Sequence, residues 1–145
     1  MPFTILLTLP LAIVGALAGY SGLDVDAASA AALACEVEIG RLGRPIGRQD
    51  QYAAAVGGVN AIAFEPSGEV LVEPLALTPG TLAGLNEGLL LLSTGSTRDS
   101  ASILSGQRAR TEGGAALGRL HRLKALAREM RGALETGDLS AFGDL

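Results

Sequence analysis

Apolar and polar positions divide this 145-residue chain into blocks of different period. Phe3 to Gly19 is almost wholly apolar, and residues 1–23 carry no charged side chain. Such a block reads in three ways. A membrane-spanning helix needs about 20 apolar residues. A signal peptide needs a basic start, absent here, although Ala16-Leu17-Ala18 offers a passable cleavage site. A buried helix would place Pro10 at its first turn, where a missing N–H costs nothing. Beyond it, Asp24-Val25-Asp26 can cap a helix from about Ala27 to Leu42, with Ala28, Ala31, Ala32, Cys35 and Ile39 as its core face.

Gly43-Arg44-Pro45-Ile46-Gly47 ends that helix. Gly47-Arg48-Gln49-Asp50-Gln51-Tyr52 then predicts one to three helical turns, closed by Gly57-Gly58. Val59 to Phe64 and Glu69 to Val72 read as strands joined by Glu65-Pro66-Ser67-Gly68, a hairpin signal. Thr78-Pro79-Gly80 through Gly88 is a connector with a helical turn and a candidate domain boundary. Leu89 to Leu92 is expected as a short buried strand. A hydroxyl-rich loop from Ser93 to Ser100 leads to a helix from Ala101 to Gln107. In the last helix, from Gly114 to Leu134, Ala116, Leu120, Leu123, Ala127, Met130 and Leu134 form the apolar stripe. Gly137-Asp138-Leu139 opens a final turn.

Composition narrows the class. With 48% hydrophobic and 18% charged residues the chain is globular rather than disordered. Aromatic residues are 3% and Trp is absent, so the core must be built from Ala, Leu, Val and Ile. A net charge of −4 argues against general nucleic-acid binding, which needs clustered cations. Arg119, Arg122, Arg128 and Arg131 decorate the last helix without interleaved aromatics and read as a solvated face. The single cysteine, Cys35, supports neither an internal disulfide nor a zinc site, so a reducing, cytoplasmic setting is the default. His121, the only histidine, has no partner that argues for catalysis.

Two stretches carry candidate chemistry. Gly47 to Tyr52 puts an acid, a cation and two amides in six positions. In a helix Gln49 and Tyr52 are neighbours, while Arg48 and Asp50 face different ways. The alternative is a solvated turn with a capped short helix. The second stretch, Ser93-Thr94-Gly95-Ser96-Thr97-Arg98, lies between an apolar run and a helix. Unpaired amides at a helix start favour an anion, and Arg98 could grip a phosphate or a sugar hydroxyl. The alternative is an ordinary cap with a surface arginine.

The run from Glu36 to Phe64, with Gly-Arg-Gln-Asp-Gln-Tyr followed by Gly57-Gly58-Val59-Asn60, resembles the superfamily of galactokinase, homoserine kinase, mevalonate kinase and phosphomevalonate kinase (GHMP). Within it, the chain is most similar to the heptose 7-phosphate kinase-like group, over roughly residues 11–145. The resemblance implies an α+β fold: a two-layer α/β sandwich, part of the GHMP-kinase fold, with helices on a mainly antiparallel sheet. It makes residues 1–77 the remainder of the N-terminal kinase domain and residues 78–145 the start of the C-terminal one. It favours the buried-helix reading from about Leu11.

The implied activity is phosphoryl transfer from ATP, with Mg²⁺, to a hydroxyl of a sugar or sugar phosphate. Asp50 takes the base-like role there, and Arg48 stands where lysine is more usual. An arginine can clamp charge but cannot carry a proton. Gln49, Gln51 and Tyr52 would position the sugar, with Thr94, Gly95 and Arg98 contributing to its pocket. Glu38, twelve residues before Asp50, falls where the family has its magnesium-binding glutamate, the alternative being a solvated helix residue.

The chain departs from the family in one respect. Residues 4–10 stand in place of the family's Gly- and Ser-rich phosphate loop but hold neither glycine nor serine. The chain therefore reads as truncated at both ends, and whether it is itself an enzyme stays open. The alternative is a non-catalytic sugar-phosphate-binding or interaction remnant. No nucleic-acid or membrane partner is expected, the exception being attachment through residues 1–23. An exposed sheet edge could drive self-association.

Overall fold

The computed structural model describes residues 3–93, 95, 103–104, 106–107, 110–111, 114 and 116–145, with side chains described from Leu9 onward. The chain is mixed α and β, with helices and one two-stranded antiparallel sheet, as the sequence implies. It divides into two compact units, residues 1–74 and 75–145.

In the first unit, α1 (Phe3–Ser21) is continuous through Pro10, which is therefore inside the helix and not at its first turn. Among the described residues no helix is long and apolar enough to cross a membrane. Asp26 caps α2 (Ala27–Cys35), its Oδ1 accepting from the Ser29 N–H at 2.9 Å. This satisfies one of the orphan donors of the first turn, as the Asp24-Val25-Asp26 signal predicts. The helix then widens into a π-helical segment (Glu36–Arg41), in which the Leu42 N–H reaches back to the Val37 carbonyl at 2.9 Å. Widened turns of this kind shift the face that later residues present.

The buried positions of this long helix are Ala31, Ala34, Cys35 and Glu38. Ala28 and Ala32, expected in the core, are exposed. The stripe is rotated from the expected one and carries a glutamate inward.

Helix α3 (Gln49–Val56) holds most of the signature and ends at Gly57 and Gly58, with φ of 68° and 71°. Two successive left-handed residues there require glycine, because a Cβ would press on the following carbonyl. Asn60 fastens the exit, its Nδ2 donating to the Gly57 carbonyl at 2.7 Å. Strands β1 (Asn60–Phe64) and β2 (Val70–Pro74) pair antiparallel, Ile62 opposite Val72 and Phe64 opposite Val70. The turn is closed by Gly68 N–H to the Glu65 carbonyl and Glu65 N–H to the Glu69 carbonyl, both 2.9 Å. Gly68, at φ 92°, supplies the positive φ that the turn needs.

The core of this unit is small. Ala31, Cys35 and Tyr52 form its centre, with Ile39, Ala55, Ile62, Val70 and Val72 packed around it. Helices α1, α2 and α3 pack on one another.

In the second unit, Thr78 caps α4 (Pro79–Gly88), accepting from the Thr81 N–H at 3.1 Å. Helix α5 (Leu117–Thr136) stops at Gly137, φ 76°, where the Asp138 N–H bonds the Ala133 carbonyl at 2.9 Å. Asp138 then caps α6 (Leu139–Asp144) through the Ala141 N–H. Gly84 lets α4 approach α6, since a Cβ at that position would run into Leu139.

Two expectations need correction in this unit. Leu89 to Leu92 is not a buried strand: these leucines have irregular backbone and exposures of 64, 85, 101 and 82%. A strand needs a neighbour for its backbone groups, and among the described residues the sheet consists of β1 and β2 alone. On α5 the expected stripe is buried only at its far end. Leu134 is buried and Leu123 is 59% exposed.

Candidate functional site

The signature is a short helix whose successive residues are divided between solvent and core. Gln49 and Asp50 are exposed, whereas Gln51 and Tyr52 are buried. The split follows from the 100° step between helix residues, once α1 and α2 cover one side of α3. Asp50 stands in the first turn, where the unpaired amides favour a carboxylate. Its side chain has no hydrogen-bond or ion-pair partner among the described residues.

Gln51 is the inward anchor. At 0% exposure it donates from Nε2 to Glu38 Oε2 at 2.6 Å, and Glu38 itself is 1% exposed. This bond ties α3 to the π-helical segment that continues α2. The other carboxylate oxygen, Oε1, lies 3.6 Å from Arg44 Nη1 and makes no hydrogen bond. Gln51 Oε1 is likewise buried without a hydrogen-bond partner. The Arg44 backbone also returns to this place, its N–H bonding the Glu38 carbonyl at 3.0 Å. Glu38 is therefore not a solvated helix residue. Its spacing from Ala31 and Cys35, seven and three positions, is the signal that marks it as inward-facing.

Arg48 does not pair with Asp50. It leaves the signature in the other direction, donating from Nη1 to the Gly68 carbonyl at 2.9 Å. Its guanidinium carbon lies 5.5 Å from the centroid of the Phe64 ring. Phe64 in turn meets Tyr52 edge to face, with centroids 6.4 Å apart and planes at 84°. Sequence reasoning missed Phe64 and Gly68, because hairpin residues reveal no partner until the hairpin is folded back. Two shallow cavities of about 340 and 350 Å³ open beside Arg48. One is lined by Ile39, Ile46, Gly47, Gln49 and Phe64; the other includes Cys35, Glu36, Tyr52 and Gly68.

Cys35 lies beneath this region, its Sγ 4.0 Å from the Arg48 carbonyl oxygen. Burial pushes its thiol pKa up, and the Glu38 carboxylate adds to that, while Arg48 opposes it. The protonated thiol can thus donate to the carbonyl at the start of α3. Gly95 belongs to the second unit, with φ 68° and its N–H 3.3 Å from Ser93 Oγ. Thr94 and Arg98 lie outside the described residues.

Glu38 is the residue expected at magnesium. Glu38 Oε1 is the hard oxygen such an ion takes, but Arg44 stands on it, and no group of three His, Cys, Asp or Glu able to hold a metal occurs among the described residues. Residues 4–10 are helical and form no Gly-rich loop: beyond the first turn of α1 their amides bond within the helix, and Pro10 has none.

No protein-family model matches the chain. The chain is 30% identical over 138 residues to the D-glycero-alpha-D-manno-heptose 7-phosphate kinase of Campylobacter jejuni. The match takes in 95% of the chain and spans 41% of that kinase's length.

Proposed function

We propose that this chain carries the acceptor-side turn of an ATP-dependent sugar-phosphate kinase of the GHMP type, with residues 1–77 the remainder of its N-terminal domain and residues 78–145 the start of its C-terminal one. The observation that carries the reading is the arrangement of Asp50. It is a solvent-facing, unpaired carboxylate on a short helix whose next two residues, Gln51 and Tyr52, are locked into the core. The similarity to a heptose 7-phosphate kinase supports it.

Phosphoryl transfer asks little covalent chemistry of the protein and much positioning. Asp50 would accept or orient the proton of the sugar hydroxyl. Gln49, exposed beside it, would contact the sugar. Arg48, held by the hairpin, would counter negative charge on the phosphorylated substrate. Gln51 acts indirectly, since it is fully buried; with Glu38 it fixes the pitch of α3. A role for Glu38 at Mg²⁺ would require Arg44 to swing away. ATP is the second substrate, and its phosphates need contacts beyond those the described residues form.

The helical state of residues 4–10 favours a second reading: a module that binds a sugar phosphate without nucleotide. Calorimetry with heptose 7-phosphate and with ATP·Mg²⁺, on wild type and Asp50→Asn, separates the two. Nucleotide binding, with phosphoryl transfer lowered about 10²- to 10⁴-fold by Asp50→Asn, supports the kinase reading. A saturable sugar-phosphate isotherm with no nucleotide binding supports the module.

A further inference from the structure

The hairpin grips Arg48 at two points, and both grips come from residues beside one turn. The Gly68 carbonyl takes one N–H at 2.9 Å, and the Phe64 ring lies under the guanidinium at 5.5 Å. Phe64 is otherwise an odd residue to find here. It is the last residue of β1 and is 42% exposed, so it is poorly explained as core. It also meets the ring of buried Tyr52 edge to face. Arg48 and Tyr52 lie one turn apart on the signature, so the ring spans both ends of its first turn.

We infer that Phe64 is a positioning residue for Arg48, holding its guanidinium ready for an oxyanion of the phosphate-monoester class. The choice of ligand rests on the kinase reading; the positioning does not. A guanidinium has five N–H donors in a rigid fork. The ring covers one face and Gly68 uses one donor, which leaves donors free for a bidentate grip on phosphate oxygens. An arginine already immobilised this way has less side-chain freedom to lose when the anion binds. The cavity that Phe64, Arg48 and Gln49 line together is where such a group would sit. A leucine at position 64 would fill much of the same space but offer no π face, whereas tyrosine would keep the face.

The test is side-chain NMR of the whole chain, following the Arg48 Nε–H signal in wild type, Phe64→Leu and Phe64→Tyr, with inorganic phosphate as the probe. Wild type is expected to show an upfield ring-current shift and a cross-peak between Arg48 and the Phe64 ring. Phe64→Tyr should keep the shift. Phe64→Leu should lose it and weaken phosphate binding about two- to five-fold, the size of an exposed cation–π contact. An Arg48 signal that Phe64→Leu leaves in place would overturn the inference. So would failure of Phe64→Tyr to keep the shift. Should Phe64→Leu not fold, the wild-type cross-peak decides, and its absence overturns the inference. If the Arg48 shift responds as stated but phosphate binds to none of the three proteins, the positioning holds and the phosphate-monoester assignment fails with the kinase reading.

Discussion

Gln51 donates from Nε2 to Glu38 Oε2 at 2.6 Å with both side chains withdrawn from solvent, and this bond joins the signature helix to the end of the long helix before it. It is a charge-assisted hydrogen bond in a region too small to offer many alternatives.

The two ends of that bond are unequal, and stability measurements should show it. Glu38→Leu leaves a neutral amide unpaired, which costs about 1–3 kcal/mol. Gln51→Leu leaves a buried carboxylate with only the half-exposed Arg44 near it, and should cost more, about 3–5 kcal/mol. Glu38→Gln keeps a hydrogen-bond acceptor and should be the mildest of the three. Urea unfolding would rank them, and a Gln51→Leu protein as stable as wild type would show that the pair does not hold α3.

Glycines should divide by backbone conformation. Gly57→Ala forces a Cβ into the left-handed region and should destabilise by about 1–2 kcal/mol, although nothing crowds the site. Gly118, inside α5 with open space around it, should behave oppositely. Gly118→Ala is expected to stabilise by about 0.5–1 kcal/mol through helix propensity. Thermal unfolding of the two variants is the check.

Cys35 should resist thiol reagents in the folded protein and react quickly in denaturant, since only the thiolate attacks. Its pKa is raised above the ordinary value of 9.0, chiefly by burial. The sign follows: the contribution of the neutral thiol to stability is complete below the unfolded pKa and is lost as pH rises through the folded one. Stability measured through the alkaline limb should fall less steeply in Cys35→Ala. Equal labelling rates in native and denatured protein would contradict this.

Asp26 acts at the opposite end of the pH scale. Its pKa is lowered from 3.8, first by the Ser29 backbone N–H and then by the Ser29 hydroxyl. A depressed carboxyl contributes stability that is present above the unfolded pKa and is lost as pH falls through the folded one. Asp26→Asn, which can still cap the helix, should therefore flatten the acid limb without removing α2. Helicity and stability followed by circular dichroism below pH 4 would test it.

What the sequence by itself determined was local. Asp26 before an alanine-rich run starts α2, Pro66-Ser67-Gly68 turns the hairpin, and Gly57-Gly58 ends the signature helix. Each of these acts over four residues or fewer, through a cap, a fixed φ or a positive φ, and needs no distant partner. The tertiary structure decided which way the signature faces. Only the packing of α1 and α2 on α3 makes Gln51 and Tyr52 core and leaves Asp50 outside. Only the folded-back hairpin gives Arg48 a ring and a carbonyl in place of the carboxylate two residues away. Glu38 turned inward for the same reason: its stripe is set by the surface that covers it, and charge alone reads as solvent-facing. The leucines at 89–92 show the converse. Their apolar run predicts a strand, but a strand exists only where another backbone supplies its hydrogen bonds, and that is a property of the assembled fold.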